Sequence, residues 1–270
     1  MQLGNPMRMD AYLARIGYSG DLRPSAAVLA ALHLAHATHI PFENLDVLRG
    51  VPIRLDLESL QRKLVDGRRG GYCFEHNLLF SAVLEELGFT VTRLAARVRH
   101  RRTDVPPRTH MLMLVDVDEQ TLLADVGFGA EGLLCPVPFG SGQESQQFAW
   151  TYRVVQGPRG TALRDGHEWV LQSRHGDEWL DLYSFTLDPQ QQIDYEVANH
   201  YTSTHPESRF VKGLTVQLPT PVARTALRNR ELTVDTGGET TTRVMADDEE
   251  IRRTLRETFG LPAPDDLRIP

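Results

Sequence analysis

Nine residues beginning at Arg69 constrain the fold of this chain more than any other stretch. They read Arg-Gly-Gly-Tyr-Cys-Phe-Glu-His-Asn, and Cys73 stands where a loop becomes a helix. Gly70 and Gly71 permit a tight backbone approach, including positive φ. After Cys73, apolar residues recur at helical spacing until Gly88, a typical helix terminator. These apolar positions are Leu79, Phe80, Val83, Leu84 and Leu87.

Cys73 is a candidate nucleophile because of this position. A cysteine in the first turn of a helix lies beside unpaired backbone N–H groups and the positive end of the helix dipole. Both favour the thiolate, which is the nucleophilic form. The alternative is a small buried apolar side chain, since free cysteine is among the most buried residue types. Other parts of the chain must decide between these two interpretations.

Composition excludes several classes of function. The chain has 270 residues, of which 41% are hydrophobic and 24% charged, as in ordinary soluble globular proteins. Its net charge is −7, so we expect neither a nucleic-acid partner nor attraction to an anionic membrane. No secretory signal or long apolar run is visible, and two cysteines suit a reducing cytoplasm. The second cysteine, Cys135, is expected to be structural.

Metal chemistry has little support in the sequence. There is no CxxC, HExxH or Walker-type GxxxxGK[ST] motif. His33, His36 and His39 are spaced like neighbours on a helix, but no carboxylate or thiol joins them at ligand spacing. We therefore expect a solvated helix face there and no metal cofactor.

Three regions differ in the periodicity of their apolar residues. Residues 1–88 read as helices, and residues 89–185 read as strands that form a contiguous antiparallel sheet, a pattern that also fits a closed barrel. Residues 186–270 mix both signals. The sequence predicts an α+β protein with three domains at these boundaries. Expected elements are strands over 150–156, 168–173, 178–183, 213–218, 224–234 and 239–245, a helix over 188–197, a loop over 199–210, and a final helix from Asp247.

Two polar residues interrupt apolar strands. His110 opens one strand, and Asp125 lies near the end of the next, where an unpaired buried carboxylate would be costly. If Val117 pairs with Gln120 across a two-residue turn, His110 faces Gly127 and Asp125 is its diagonal neighbour on the same face. Such neighbours are about 7 Å apart at the backbone, within reach of imidazole and carboxylate. The sequence thus predicts a His–Asp pair, either catalytic or a buried structural hydrogen bond.

Cys73, His110 and Asp125 together form a plausible catalytic set. A cysteine nucleophile needs a base, and usually a third group that orients the base. The order helix, strand, strand is also that of transglutaminase-like thiol enzymes, which is an analogy at the level of fold.

Five segments resemble motifs of the arylamine N-acetyltransferases, in order along the chain. The segment from Arg69 to Asn77 resembles the active-site signature of that family and is its most specific match. Past Phe210 the resemblance is weak. The other four segments are Pro41-Phe-Glu-Asn-Leu45, Thr109-His110-Met-Leu, Asp125-Val-Gly-Phe-Gly129 and Tyr201-Thr-Ser-Thr-His-Pro-Glu-Ser-Arg-Phe210.

The resemblance implies an N-terminal helical bundle, a central antiparallel β-barrel and a C-terminal α/β lid around a cysteine-protease-like Cys–His–Asp core. It also implies that acetyl-CoA acetylates Cys73 and that an arylamine or hydrazine then takes the acetyl group, a ping-pong scheme. His110 would hold Cys73 as thiolate and later accept the amine proton, and Asp125 would orient His110.

The resemblance implies binding residues as well. Phe42, Phe128 and Phe210 would line an aromatic substrate pocket, although each also fits a simple core role. Gly127, Gly129, Tyr201 and Ser208 would contact CoA. An arginine cluster suits the CoA phosphates or a solvated loop, and it comprises Arg99, Arg101, Arg102 and Arg108. Glu75 and Asn77 are expected to brace the start of the helix.

Other functions fit the same three residues. A thiol hydrolase would use water as the acceptor, and an amide synthase would join a carrier-bound acyl chain to an internal aromatic amine. A non-catalytic binding module would not need all three residues intact. The sequence alone is compatible with a monomer and with a homo-oligomer.

Overall fold

The N-terminal region folds into helices that lead to the helix begun by Cys73. The computed structural model describes residues 6–99, 104–129, 131–140, 142–157, 168–267 and 269. Asp56 caps its helix by accepting from Ser59 N (2.9 Å). The elements are α1 (Met9–Ile16), α2 (Ala26–His39), β1 (Phe42–Glu43), α3 (Leu45–Leu48), α4 (Leu57–Leu60), which continues in π-helical geometry over Gln61–Asp66, and α5 (Cys73–Glu86).

An antiparallel sheet of eight strands forms the central region. Its strands are β2 (Thr90–Val98), β3 (Arg108–Val117), β4 (Gln120–Ala124), β5 (Val137–Pro138), β6 (Ser145–Gln147), β7 (Trp150–Gln156), β8 (Trp169–His175) and β9 (Glu178–Phe185). Their order is β5-β4-β3-β2-β9-β8-β7-β6, and β5 also lies close to β7, so the sheet nearly closes into a barrel. With the helices before it, this sheet confirms the predicted α+β fold class.

Strand β3 is buried on both faces, which explains its nearly continuous apolar sequence. Met111 and Met113 pack into the core shared with the N-terminal helices, whereas Leu112 and Leu114 belong to the barrel core. His110 has the same parity as Leu112, so this histidine faces the barrel side.

The β3–β4 hairpin has the register predicted from its sequence. Val117 pairs with Gln120, and the turn residues Asp118 and Glu119 have φ of 50° and 60°, as in a type I′ turn. The register places Asp125 one residue past the end of β4, beside the start of β3.

The last part of the chain forms a second antiparallel sheet, which includes one strand from the N-terminal region. It contains β1, β10 (Thr215–Pro219), β11 (Arg224–Arg228), β12 (Glu231–Asp235) and β13 (Thr240–Val244) in that order, and Phe42 of β1 lies opposite Gln217. It corresponds to the α/β lid, whereas the domain boundaries at residues 88 and 185 stay a prediction. The elements after the barrel are α6 (Gln192–Thr204), α7 (Arg209–Lys212), β10 (Thr215–Pro219), β11 (Arg224–Arg228), β12 (Glu231–Asp235), β13 (Thr240–Val244) and α8 (Asp248–Glu257).

The expectations for this last region were wrong in two places. The segment expected as a loop over 199–210 instead continues α6 and contains α7. The hydroxyls of Thr202 and Thr204 donate to carbonyls four residues earlier, and Asn199 donates to Ile53 O (3.0 Å). These polar side chains, which often form turns, therefore support a helix here. The strand expected over 224–234 is two strands, because Asn229 takes a positive φ of 51° between them.

The predicted solvated histidine face is also wrong. His33 and His36 have no exposed surface, whereas His39 is exposed. The rings of Tyr12 and Phe80 pack against His36, with centroids 5.9 and 5.4 Å away. Within the described residues, no three His, Cys, Asp or Glu side chains form a group that could hold a metal ion. Over the same residues, no helix is both long and apolar enough to cross a membrane.

Gly70 lies where the segment before β1 meets the segment before α5. A Cβ atom on Gly70 would lie 1.8 Å from Pro41 O. Gly71 N donates to the same oxygen (3.4 Å), and Glu43 N donates to Gly71 O (2.8 Å). The two segments therefore approach each other at a distance that any side chain at position 70 would prevent.

We expect Gly70→Ala to lower the free energy of unfolding by about 2 kcal/mol or more, because the new methyl group forces two backbone segments apart. Gly238→Ala is the matched control, since a Cβ atom there meets open space, and it should change stability by less than about 0.5 kcal/mol. Urea unfolding of both variants measures the difference. Equal stability of the two variants would contradict this account of the loop.

Candidate active site

The nucleophile candidate lies at the start of α5, on the wall of a cavity. Cys73 is 3% exposed, and its Sγ lies 3.5 Å from Thr109 O. The cavity has a volume of about 420 Å³ and is lined by both Cys73 and His110. We call this candidate site the catalytic cavity. The helix start is held by Glu75, whose Oε2 accepts from Tyr72 N (3.0 Å).

His110 joins the cysteine to a buried carboxylate. Its Nε2 lies 2.7 Å from Asp125 Oδ2, and the two side chains are 3% and 0% exposed. The imidazole is also within hydrogen-bonding reach of the Cys73 thiol. Because Asp125 occupies Nε2, the nitrogen that faces the sulfur is Nδ1. The structure therefore brings the three predicted residues together in the order sulfur, ring, carboxylate.

The electrostatics of this set favour a charged imidazole. Burial by itself would lower the pKa of His110, but the charge and hydrogen bond of Asp125, together with Cys73, raise it to about 9. Burial likewise opposes ionisation of Asp125, yet His110, Asn77 and Gly127 N hold the pKa of its carboxyl below the usual range. At neutral pH the pair is an imidazolium and a carboxylate.

Asn77 does more than brace the helix, which is what the sequence predicted for it. Its Nδ2 donates to Asp125 Oδ1 (2.9 Å) and to Met111 O (2.7 Å), and its Oδ1 accepts from Val126 N (3.1 Å). The spacing shows that Asn77, four residues after Cys73, lies on the same helix face, but it does not identify the carboxylate as the partner. Asn77 thus ties α5 to Asp125.

Tyr183 is a second neighbour that the sequence did not point to. Its ring centroid lies 4.9 Å from that of His110, and its hydroxyl is close to Asp125. Tyr183 sits near the end of β9, next to β2 in the sheet, and no sequence pattern separates it from an ordinary core tyrosine.

A buried ion network supports the loop before Cys73. Lys63 Nζ lies 2.7 Å from Glu75 Oε1 and 2.9 Å from Asp46 Oδ2. Arg69 contacts Glu43 Oε1 (2.7 Å) and Asp46 Oδ1 (3.1 Å). Burial opposes the charge on Lys63, but the nearby carboxylates raise its pKa. The bracing role expected of Glu75 is therefore part of a wider network.

The three predicted aromatic residues all line the catalytic cavity. Phe42 and Phe210 are buried at 4% and 6% exposure, and their ring centroids are 5.8 Å apart. Phe128 is half-buried, and its ring meets His110 edge-on at 5.2 Å. The cavity that holds the sulfur and the imidazole therefore has aromatic side chains in its wall.

Gly127 and Gly129 both have packing reasons to be glycine. A Cβ atom on Gly127 would lie 2.9 Å from Cys73 Cα, and one on Gly129, whose φ is +97°, would lie 1.9 Å from Gln217 Oε1. Gly127 lines the catalytic cavity, whereas Gly129 lines a small void of about 10 Å³ behind it, together with Asp125.

The remaining predicted contacts lie at the cavity mouth or beyond it. Tyr201 is 37% exposed and stacks on His205, with ring centroids 4.4 Å apart. Ser208 Oγ donates to Thr202 O (2.5 Å) and caps α7. Arg99 pairs with Glu168 and Asp181, and Arg108 lines a neighbouring cavity, whereas Arg101 and Arg102 lie outside the described residues. Cys135, expected to be structural, is half-buried and bound through its backbone to Gln147.

The chain is similar to known proteins over nearly its whole length. A family model described as N-acetyltransferase matches residues 25–267. An arylamine N-acetyltransferase of Mycolicibacterium smegmatis is 45% identical over 240 residues, which covers 87% of this chain and 84% of the relative. The arylamine N-acetyltransferase of Escherichia coli (strain K12) is 39% identical over 260 residues, or 95% and 90% of the two chains.

Solved structures agree with these sequence matches. The Mycobacterium marinum arylamine N-acetyltransferase in complex with CoA has a TM-score of 0.87 to this chain at 39% identity, covering 94% of this chain and 92% of that one. The arylamine N-acetyltransferase from M. tuberculosis gives 0.87 at 42% identity, covering 94% and 93%.

The His110–Asp125 pair predicts how stability depends on pH. The pKa of His110 is raised from its ordinary 6.5 to about 9 in the folded chain, so the folded state binds this proton more tightly. The resulting stabilisation is full below pH 6.5 and is lost as the pH rises through about 9. It is on the order of 3 kcal/mol, since a tenfold change in proton affinity corresponds to about 1.4 kcal/mol.

Urea unfolding across this pH range measures the effect. The free energy of unfolding of the wild type should fall toward that of Asp125→Asn as the pH rises, because the variant lacks the carboxylate that raises the histidine pKa. A parallel decline in both proteins would show that another group titrates.

Proposed function

This chain belongs to the arylamine N-acetyltransferase family and is an acyltransferase, and on that premise we propose that it transfers the acetyl group of acetyl-CoA to arylamines or hydrazines through an acetyl-Cys73 intermediate. The observation that carries the proposal is the line of Cys73, His110 and Asp125, with the first two on the wall of one cavity. The CoA complex of the related Mycobacterium marinum enzyme supports CoA thioesters as donors.

In the first half-reaction the Cys73 thiolate attacks the thioester carbonyl of acetyl-CoA. The tetrahedral intermediate collapses by breaking the bond between the carbonyl carbon and the CoA sulfur. The departing CoA thiolate takes the proton from the His110 imidazolium, which leaves acetyl-Cys73 and a neutral imidazole. Asp125 keeps the ring in place and stabilises its charged form before this step.

In the second half-reaction the amine attacks the acetyl-Cys73 carbonyl. His110, now neutral, accepts the proton that the amine nitrogen loses, and the Cys73 thiolate departs. The amide leaves and the imidazolium–thiolate pair is restored. Exchange between two thioesters is nearly balanced in energy, so the acyl group stays available for the amine.

The developing oxyanion needs hydrogen-bond donors close to the sulfur. The N–H groups in the first turn of α5 have no acceptor within the helix and lie at the positive end of its dipole. Gly127 N is committed to Asp125 Oδ1 (2.9 Å), and Tyr72 N is committed to Glu75. We therefore assign the oxyanion to the first-turn N–H groups of α5, beginning at Cys73.

The cavity walls suit the two substrates in turn. Phe42, Phe128 and Phe210 present rings to an aromatic acceptor. Gly127, Gly129, Tyr201 and Ser208 are proposed to contact CoA. Tyr201 does so from the exposed mouth of the cavity, and Ser208 from the wall of the same cavity.

We expect intact-mass spectrometry after addition of acetyl-CoA to show one acetyl adduct, because one thiol is paired with an imidazolium. Cys73→Ala should abolish the adduct, whereas Cys135→Ala, the matched control, should retain it. Addition of an arylamine or hydrazine should discharge the adduct and yield the acetylated amine. An adduct that water removes as fast as amines do would make the protein a thiol hydrolase. A folded protein that takes an acyl group from a carrier but not from acetyl-CoA would be an amide synthase.

We expect Asp125→Asn to slow alkylation of Cys73 by iodoacetamide at neutral pH by at least about 100-fold, because burial then leaves His110 uncharged and the thiolate without a partner. Asp116→Asn is the matched control, since Asp116 lies on β3 but is exposed, and its alkylation rate should stay at the wild-type value. CoA affinity should change little in either variant. Wild-type reactivity in Asp125→Asn would remove Asp125 from the catalytic set.

A further inference from the structure

A second cavity lies beside the catalytic one, between α6 and the strands β2 and β3. Its volume is about 330 Å³, which is within the range of small-molecule sites. Apolar and aromatic side chains form most of its wall, and these are Phe74, Ala95, Pro107, Tyr195, Val197, Ala198 and Tyr201. We call this cavity the side compartment.

The side compartment and the catalytic cavity share part of their lining. Pro107, Thr109 and Tyr201 line both cavities. Thr109 O lies 3.5 Å from Cys73 Sγ, and Phe74 directly follows Cys73 in α5. The two cavities therefore adjoin at residues that lie close to the sulfur.

The chemistry of the side compartment favours an apolar occupant. Tyr195 presents its ring, because its hydroxyl already donates to Leu94 O (3.1 Å). The charged residues on the wall are Arg108 and Asp194, which carry opposite charges, so the compartment offers no net charge to phosphates or carboxylates.

Apolar surface is also left open to solvent at this place. Val197 is 69% exposed and Tyr201 is 37% exposed, one helical turn apart on α6. A ligand that covers them removes apolar surface from water, which is favourable in proportion to the area.

We infer that the side compartment binds the apolar part of the amine acceptor, so that the enzyme selects arylamines with an aliphatic extension on the ring. This inference rests on the proposed function. The amino group and its ring occupy the catalytic cavity, and the extension passes between Thr109 and Tyr201 into the side compartment.

A series of para-alkylated anilines tests this selection. We compare kcat/KM for 4-ethylaniline, 4-butylaniline and 4-hexylaniline at saturating acetyl-CoA, with aniline as the reference for basal activity. The electronic effect of the alkyl group is nearly constant from ethyl onward, so differences report burial of the chain. Each methylene that enters the side compartment should raise kcat/KM by up to about fourfold.

Two matched variants test whether the increase in kcat/KM with alkyl chain length depends on the side compartment. Val197→Asp places a charge on the wall of the side compartment and should abolish the rise with chain length, while aniline reacts at the wild-type rate. Ile193→Asp makes the same change one turn earlier on α6, where the side chain is 61% exposed, and the rise should persist.

Three results would overturn the inference. A flat series in the wild type, with normal acetylation of aniline, would reject the side compartment and leave the proposed function intact. A rise that survives Val197→Asp would place the alkyl chain elsewhere. Failure to acetylate aniline, the alkylanilines and a hydrazine alike would reject the inference together with the proposed function, and the absence of any product distinguishes this result from the first.

Discussion

The buried carboxylate of Asp125 is the constraint on which the rest of the site depends. An ionised carboxylate with no exposed surface is tolerated only when charge and hydrogen bonds compensate for lost water. His110, Asn77 and Gly127 N provide them, each within 2.9 Å of a carboxylate oxygen. These donors come from β3, from α5 and from the turn after β4. One carboxylate thus fixes the relative positions of the His110 ring, helix α5 and the turn at Gly127.

The same requirement explains the close approach at Gly127. For its N–H to reach Asp125, the backbone must pass so near α5 that a Cβ atom would lie 2.9 Å from Cys73 Cα. Gly70 makes a second close approach, three residues before Cys73, where Pro41 O fills the space of a side chain. Close packing at these two glycines therefore constrains the backbone that carries Cys73.

Local signals in the sequence were enough to predict part of this arrangement. The two-residue turn determines the β3–β4 register, and this register alone predicts that His110 lies next to Asp125. The start of α5 and its cap could also be predicted, since both depend on neighbours in sequence. The partner of Asn77 and the burial of His36 could not, because spacing tells which residues share a helix face and not what covers that face. The helix over 199–204 was missed because its hydroxyls donate to carbonyls four residues earlier and do not form turns, while Asn199 binds a group distant in sequence, Ile53 O.

The buried histidines show why the carboxylate and not burial decides which ring is charged. Tyr12 Oη lies 2.9 Å from His36 Nδ1, and His36 Nε2 lies 3.0 Å from His76 Nδ1. His76 Nε2 must donate to Pro41 O (3.1 Å), which has no proton to give, so its Nδ1 accepts from His36.

That chain of donors is complete with both rings neutral. Burial lowers the pKa of His76 to about 4 and that of His36 well below its ordinary range. His110 is equally deep, yet its pKa is about 9 because Asp125 stands behind it. In this protein, the buried histidine that donates to a carbonyl oxygen stays neutral, whereas the one bound to a carboxylate is charged. A thiolate beside His110 therefore finds a cation at neutral pH, and a thiolate beside His36 or His76 would not.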